Sequence, residues 1–297
     1  MQNTPHPLLD ALIADAGTAA VFLFPVFAFL WFLYRRRKKH RGSALEPFTD
    51  MPLRPPGETL RLKIDDLSNE FETAVMLALM IGVVAFSMVA VTPAGHKWPV
   101  AIGASVAVAI TYFGSARNIL RIQKQLWEHR LGFTGERVVG EELNRLMARG
   151  FHIFHDLPFD GFNIDHVVVG PSGVYVVETK TRSKPADLPR STRATVYYDG
   201  VLLTYPKWKD QESISQVRLN AKTLSTWLSR ATGEHTPVKA ILAIPGWWIE
   251  RTAKSDVNVL NPKEIKNSFP SNPVAPLPPD RIQRIVHQLT ERCRLSS

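Results

Sequence analysis

Three charged side chains interrupt apolar stretches in the second half of the chain. Asp165 stands between Ile164 and a valine run at 167–169, and Glu178 and Lys180 close the run Val174-Tyr175-Val176-Val177. On a strand, residues two apart point the same way, about 6–7 Å from each other, so Glu178 and Lys180 share one face. Pro171-Ser172-Gly173 reads as a tight turn that folds Asp165 back toward them. Charges are costly inside a sheet unless they are paired or metal-bound. Two carboxylates and a lysine at adjacent strand ends suit a Mg²⁺ or Mn²⁺ site for phosphodiester cleavage. Carboxylate oxygens hold the hard cation, the cation activates water and stabilises charge on phosphate, and the lysine orients or deprotonates that water or neutralises developing charge. A salt-bridged strand end is the plainer reading of the same three residues.

The elements that must position them follow an α-β-β-β-insert-α-β order. Residues 136–149 carry Val138, Val139, Leu143, Leu146 and Met147 at helical spacing, with Gly150 at the stop position. Strands are expected at 151–157, 163–170 and 174–180. The polar, basic insert 181–212 holds a small hairpin around Asp199-Gly200. An amphipathic helix follows at 213–231, then strands at 238–244 and 257–260 and a closing helix at 279–293. This predicts a mixed α/β sheet flanked by helices rather than a Rossmann repeat.

The string Gly135-Glu136, the run from Asn163 to Lys180, and Gln216 with Asn220-Ala221 resemble the nuclease-related domain, NERD, over roughly residues 132–245. That family is placed among the PD-(D/E)xK, restriction-endonuclease-like nucleases. The resemblance implies that Asp165, Glu178 and Glu136 are metal carboxylates, that Lys180 is catalytic, and that Gln216 orients the lysine or contacts phosphate. Asn220 lies one helical turn from Gln216, on the same side. Related exonucleases often carry Tyr in that place. DNA as substrate comes from the resemblance alone, and RNA remains open.

Composition adds an anionic partner. The 297 residues carry a net charge of +9, which favours nucleic acid or an acidic lipid surface. Arg182, Lys184, Arg190, Arg193, Lys207 and Lys209, with Trp208, make the insert basic and aromatic-interleaved, able to track a phosphate backbone or stack bases. A solvated or lipid-touching loop fits the same composition. His152 and His155 read as ordinary strand histidines. Trp247 and Trp248 read as cover for the core or a membrane-facing edge. The single cysteine, Cys293, excludes an intrachain disulfide. No phosphate-binding glycine loop and no nucleophilic serine elbow is present.

The N-terminal part reads differently. Runs 16–34, 73–95 and 98–116 contain no Asp, Glu, Lys or Arg, and each is about as long as one membrane crossing. Arg35, Arg36, Arg37, Lys38, Lys39 and Arg41 follow the first run, and Arg117, Arg121, Lys124 and Arg130 follow the third. The positive-inside rule then puts the N-terminus outside and the C-terminal domain in the cytoplasm. Residues 42–60 are rich in Pro and Gly and read as a linker. The expected division is a membrane region over 1–131 with three spans and a nuclease-like domain over 132–297. Two other functions compete with a membrane-anchored DNA nuclease. One is a catalytically silent tethered module that binds nucleic acid or a protein, and the other is a domain whose basic loops bind anionic lipid.

Overall fold

The computed structural model describes Trp31 and residues 52–189, 194–270 and 276–294. The expected span at 16–34, apart from Trp31, and the basic cluster at 35–41 lie outside the described residues. The chain divides into two compact units, Met1–Phe48 with Asp66–Leu126 and Thr49–Asp65 with Trp127–Ser297.

The first unit holds residues 66–91 of helix α1 (Glu58–Val91) and residues 97–126 of helix α2 (Lys97–Asn144), joined by a short 3₁₀ turn at Ala94–His96. Both are long and apolar enough to cross a membrane. Leu79, Phe86, Trp98, Ile110 and Phe113 are exposed along them, whereas a water-soluble helix turns such residues inward and keeps a wet face outside. Pro99 is tolerated because it sits in the first turn of α2, where backbone N–H groups have no partner.

Helix α2 corrects one expectation. A separate helix was expected to open at Glu136, but α2 runs unbroken from Lys97 to Asn144. Gly132, Gly135 and Gly140 each cost only about 1 kcal/mol in a helix interior, and no proline follows Pro99 before Pro158. Glu136 is therefore remote from the positive end of its helix, and the helix dipole does not account for an acid there. The helix ends through a 3₁₀ turn, Arg145–Arg149, and Gly150 at φ 79°, whose N–H caps Leu146 and Met147.

In the second unit, five strands form a sheet in the order β1-β2-β3-β7-β9: β1 (His152–Phe159), β2 (Phe162–Gly170), β3 (Gly173–Thr179), β7 (Val238–Ala243) and β9 (Val257–Leu260). The first three are antiparallel, and β3, β7 and β9 run parallel. Helices α3 (Glu212–Thr232) and α5 (Pro279–Cys293) cover one face through Val217, Leu224, Leu228, Ile285 and Leu289. The end of α2 covers the other through Val139 and Leu143, helped by Leu146 in the 3₁₀ turn and by Phe269, which follows the short α4 (Ile265–Ser268). Sheet strands buried on both faces read as continuous apolar runs rather than alternating ones, which is why 167–169 and 174–177 are so rich in valine. A second, four-stranded sheet has the order β6-β5-β4-β8: β6 (Lys209–Asp210), β5 (Leu203–Thr204), β4 (Thr195–Tyr198) and β8 (Trp248–Arg251).

Strand alternation slips at one place. Phe154 and Leu157, three residues apart, both enter the same core cluster. Between them Asp156 has φ 50°, a left-handed conformation rare for a residue with a Cβ.

Candidate functional site

The β2–β3 register pairs His166 with Val177 and Val167 with Val176. One step further along that register, Asp165 stands opposite Glu178. The β1–β2 register likewise sets Asp156 opposite Asp165, between the pairs His155–His166 and Leu157–Ile164. Three acids thus stand side by side across β1, β2 and β3. The backbone N–H of Thr179 donates to Asp165 Oδ2 at 2.7 Å, and the Lys180 N–H donates to the Ala243 carbonyl at 2.9 Å. The row therefore sits where the parallel strands β3 and β7 end. Glu136 reaches it from α2.

Helix α3 supplies the other wall. Gln216 Nε2 donates to Glu178 Oε1 at 3.1 Å and Asn220 Nδ2 donates to Glu178 Oε2 at 2.8 Å. The one-turn spacing of Gln216 and Asn220 aims both amides at a single carboxylate. Gly135 makes room on the α2 side, since a Cβ there would lie 1.7 Å from Thr181 Oγ1. The α2 backbone at Gly135 thereby lies against the Thr181 side chain, two residues past the end of β3.

The electrostatics are those of crowded acids. Burial pushes Glu136 up to about 8, aided by the charges of Asp156 and Glu178 and opposed by Lys63. Burial raises Asp165 well above the usual range, and Glu178 and Glu136 add to this against the Thr179 N–H. Burial takes Glu178 to about 7, with Asn220 and Lys180 pulling the other way. Such acids favour either a proton or a cation. Among the described residues no three His, Cys, Asp or Glu side chains form a ready cage for a metal. This donor set nevertheless fits Mg²⁺ or Mn²⁺, because Mg²⁺ keeps several waters and uses one or two carboxylates plus substrate phosphate rather than a full protein cage.

Two buried polar groups around the row escaped the sequence reading. Asp156 accepts from Arg54 Nε at 2.8 Å and also from Arg54 Nη2, from Thr59 N at 3.0 Å, from Thr59 Oγ1 at 2.8 Å and from Asn163 Nδ2 at 2.9 Å. The stretch read as a linker is thus fastened to the domain, and Leu53 bridges Arg294 in the same stretch. The second group is a chain of contacts. Asn144 Oδ1 lies 3.0 Å from His155 Nε2, the two Nδ1 atoms of His155 and His166 are 2.9 Å apart, and His166 Nε2 lies 3.2 Å from Thr179 Oγ1. Burial lowers His155 to about 4 and takes His166 well below its usual value. The signal available in sequence was His166 itself, a polar residue between Asp165 and a valine run.

Among the described residues, the basic side chains of the insert do not gather. Arg182 pairs with Asp210 at 3.1 Å, and Lys207 pairs with Asp187. Lys184 lies over the Trp247 ring at 5.8 Å, and Lys209 is exposed on β6. Arg190 and Arg193 lie outside the described residues. Trp208 turns inward and stacks on Tyr205 at 4.7 Å. Trp247 is fully buried, while Trp248 is 68% exposed.

A mixed sheet flanked by helices, with acids at the ends of neighbouring strands, defines an α/β domain of nuclease-like type. The family model of the nuclease-related domain, NERD, matches residues 131–245. No curated protein and no solved structure matches the chain.

Proposed function

We propose that the protein is a membrane-anchored, Mg²⁺- or Mn²⁺-dependent nuclease that hydrolyses phosphodiester bonds of DNA. The observation that carries this reading is the set of Glu136, Asp165 and Glu178, three buried or partly buried acids held at raised proton affinity beside Lys180. A fold does not keep such groups together for stability, since their burial and mutual repulsion both oppose folding.

Asp165 and Glu178 would hold the cation, with Glu136 contributing directly or through water. The cation supplies an activated water and a counter-charge for the phosphate. Gln216 and Asn220 fix the Glu178 carboxylate, so that little reorganisation is left for the reaction. Lys180 offsets the charge that develops as the water oxygen bonds to phosphorus and the bond to the leaving sugar oxygen breaks. Helices α1 and α2 hold the domain at the membrane, with the basic flank of α2 keeping it on the cytoplasmic side.

One observation favours a silent binding module instead. Both Glu178 oxygens already accept hydrogen bonds from α3, leaving fewer lone pairs for a metal. A single assay separates the readings. Full-length protein in detergent is incubated with linear and circular DNA and with RNA, in Mg²⁺, Mn²⁺ or EDTA, beside Asp165→Ala and Glu178→Ala. Metal-dependent cutting lost in both variants supports the nuclease. DNA binding without cutting in any metal supports the module. Resistance to alkaline extraction from membranes tests the anchor.

A further inference from the structure

The small sheet has two unlike faces. Val196, Tyr198, Leu203 and Ile249 point into the core. Tyr197 and Trp248 point out, 50% and 68% exposed. The parallel β4–β8 register sets Thr195 beside Trp248 and Tyr197 beside Glu250, so all four share the outer face. Across the other side of β4, Tyr197 pairs with Thr204, and Thr204 pairs with Lys209. Tyr197 and Trp248 are diagonal neighbours, roughly 7–8 Å apart at the backbone, with a cation at the far end of the row.

We propose that this outer face is a stacking platform for single-stranded nucleic acid, with Tyr197 and Trp248 each taking one base. Duplex bases already stack on each other and hide their faces, whereas a single strand offers them. Thr195 and Glu250 occupy the other two corners of that diagonal, so the aromatics are not joined into an apolar patch, which argues against a protein partner or a lipid surface. Lys209, at the end of the outer row, supplies a positive charge that a phosphate backbone needs. Glu250 opposes it at one corner.

The platform is also tied to the candidate site. The Trp247 indole N–H donates to the Arg182 carbonyl at 3.1 Å, and Arg182 is two positions on from Lys180, a path of about 7 Å at most. Trp248 lies beyond the stretch that matches the nuclease-related domain. As a statement about substrate, the inference rests on the nuclease reading. It narrows that reading to a substrate with a single-stranded stretch.

The test is fluorescence anisotropy of labelled dT15 and of a 15-base-pair duplex against the full-length protein in detergent, with EDTA present so that binding is read apart from cutting. Trp248→Ala and Tyr197→Ala are each expected to weaken dT15 binding by about tenfold. Trp248→Phe and Tyr197→Phe are expected to stay close to wild type, and duplex binding is expected to be unchanged throughout. Both residues are exposed, so the variants keep their fold. Unchanged dT15 affinity in both alanine variants would overturn the platform, as would an equal loss for duplex and single strand. Cutting in Mg²⁺ is scored separately. A wild type that cuts while both alanine variants bind dT15 normally keeps the nuclease and loses the platform. A wild type that never cuts, with dT15 binding lost in Trp248→Ala, keeps the platform and loses the nuclease.

Discussion

The Nδ1 atoms of His155 and His166 lie 2.9 Å apart in the core, so one proton serves both. With the Asn144 oxygen at His155 Nε2, the chain has a direction: His155 carries its proton on Nε2, His166 on Nδ1, and the Thr179 hydroxyl donates to His166 Nε2. The chain starts on the helix that bears Glu136, crosses the strand that bears Asp165, and ends between Glu178 and Lys180. Nitrogen NMR should find His166 in the Nδ1–H tautomer and both rings neutral down to about pH 5. Thr179→Val should leave one buried acceptor unpaired and cost about 1–3 kcal/mol, and Thr179→Ser should restore it. A His166 ring protonated at pH 6 would contradict the chain.

The acids and the histidines give opposite pH dependences. The carboxyls have raised values when folded, so the folded state binds more protons than the unfolded between about pH 4.5 and 8. Their contribution is intact at low pH and is lost as pH rises through 7–8. The histidines have lowered values, so their contribution is lost as pH falls from about 6.5 toward 4. In EDTA, Glu136→Gln should therefore raise the thermal midpoint over wild type, by more at pH 8.5 than at pH 5.5. Mg²⁺ should close that gap at pH 8.5 by stabilising the wild type. A difference that does not change with pH would show that Glu136 is not held protonated.

The Arg54–Asp156 pair, with both side chains nearly buried, should behave as a buried ion pair. Arg54→Ala should cost about 3–5 kcal/mol by stranding Asp156, and adding Asp156→Asn should recover part of it. A thermal midpoint for Arg54→Ala within a degree of wild type would detach the stretch before α1 from the domain.

Gly135 is fixed by Thr181. Gly135→Ala sets a methyl 1.7 Å from Thr181 Oγ1, and either α2 or the strand end must shift. Activity should fall at least tenfold, and Gly135→Ala with Thr181→Ala should recover most of it, because Thr181 Oγ1 has no hydrogen-bond partner among the described residues to lose. Full activity in the single variant would rule out the close approach.

The hairpin that brings Asp165 to Glu178 was legible because unbroken valine runs and the turn Pro171-Ser172-Gly173 leave one way to fold. That Gln216 and Asn220 share one side of their helix was legible from their one-turn spacing, but their common aim at Glu178, rather than at the lysine or a phosphate, was not. Helix α2 was not, because Gly132 looks like a boundary while costing too little to make one. Asp156 was hidden because its partner Arg54 lies 102 positions away in sequence, in a stretch rich in proline. In the two- to four-residue strands of the insert, alternation is too short to tell inside from outside. Trp208 was expected to be free to stack a base and turned in, while Tyr197, never singled out, turned out.

The central claim is tested most directly by single-turnover cleavage of DNA by full-length Lys180→Ala in saturating Mg²⁺, with bound Mn²⁺ counted by electron paramagnetic resonance on the same sample. The nuclease account predicts a rate at least a hundredfold below wild type, in line with loss of one charge-stabilising group, and Mn²⁺ binding that is retained. A variant that cuts as fast as wild type would contradict it.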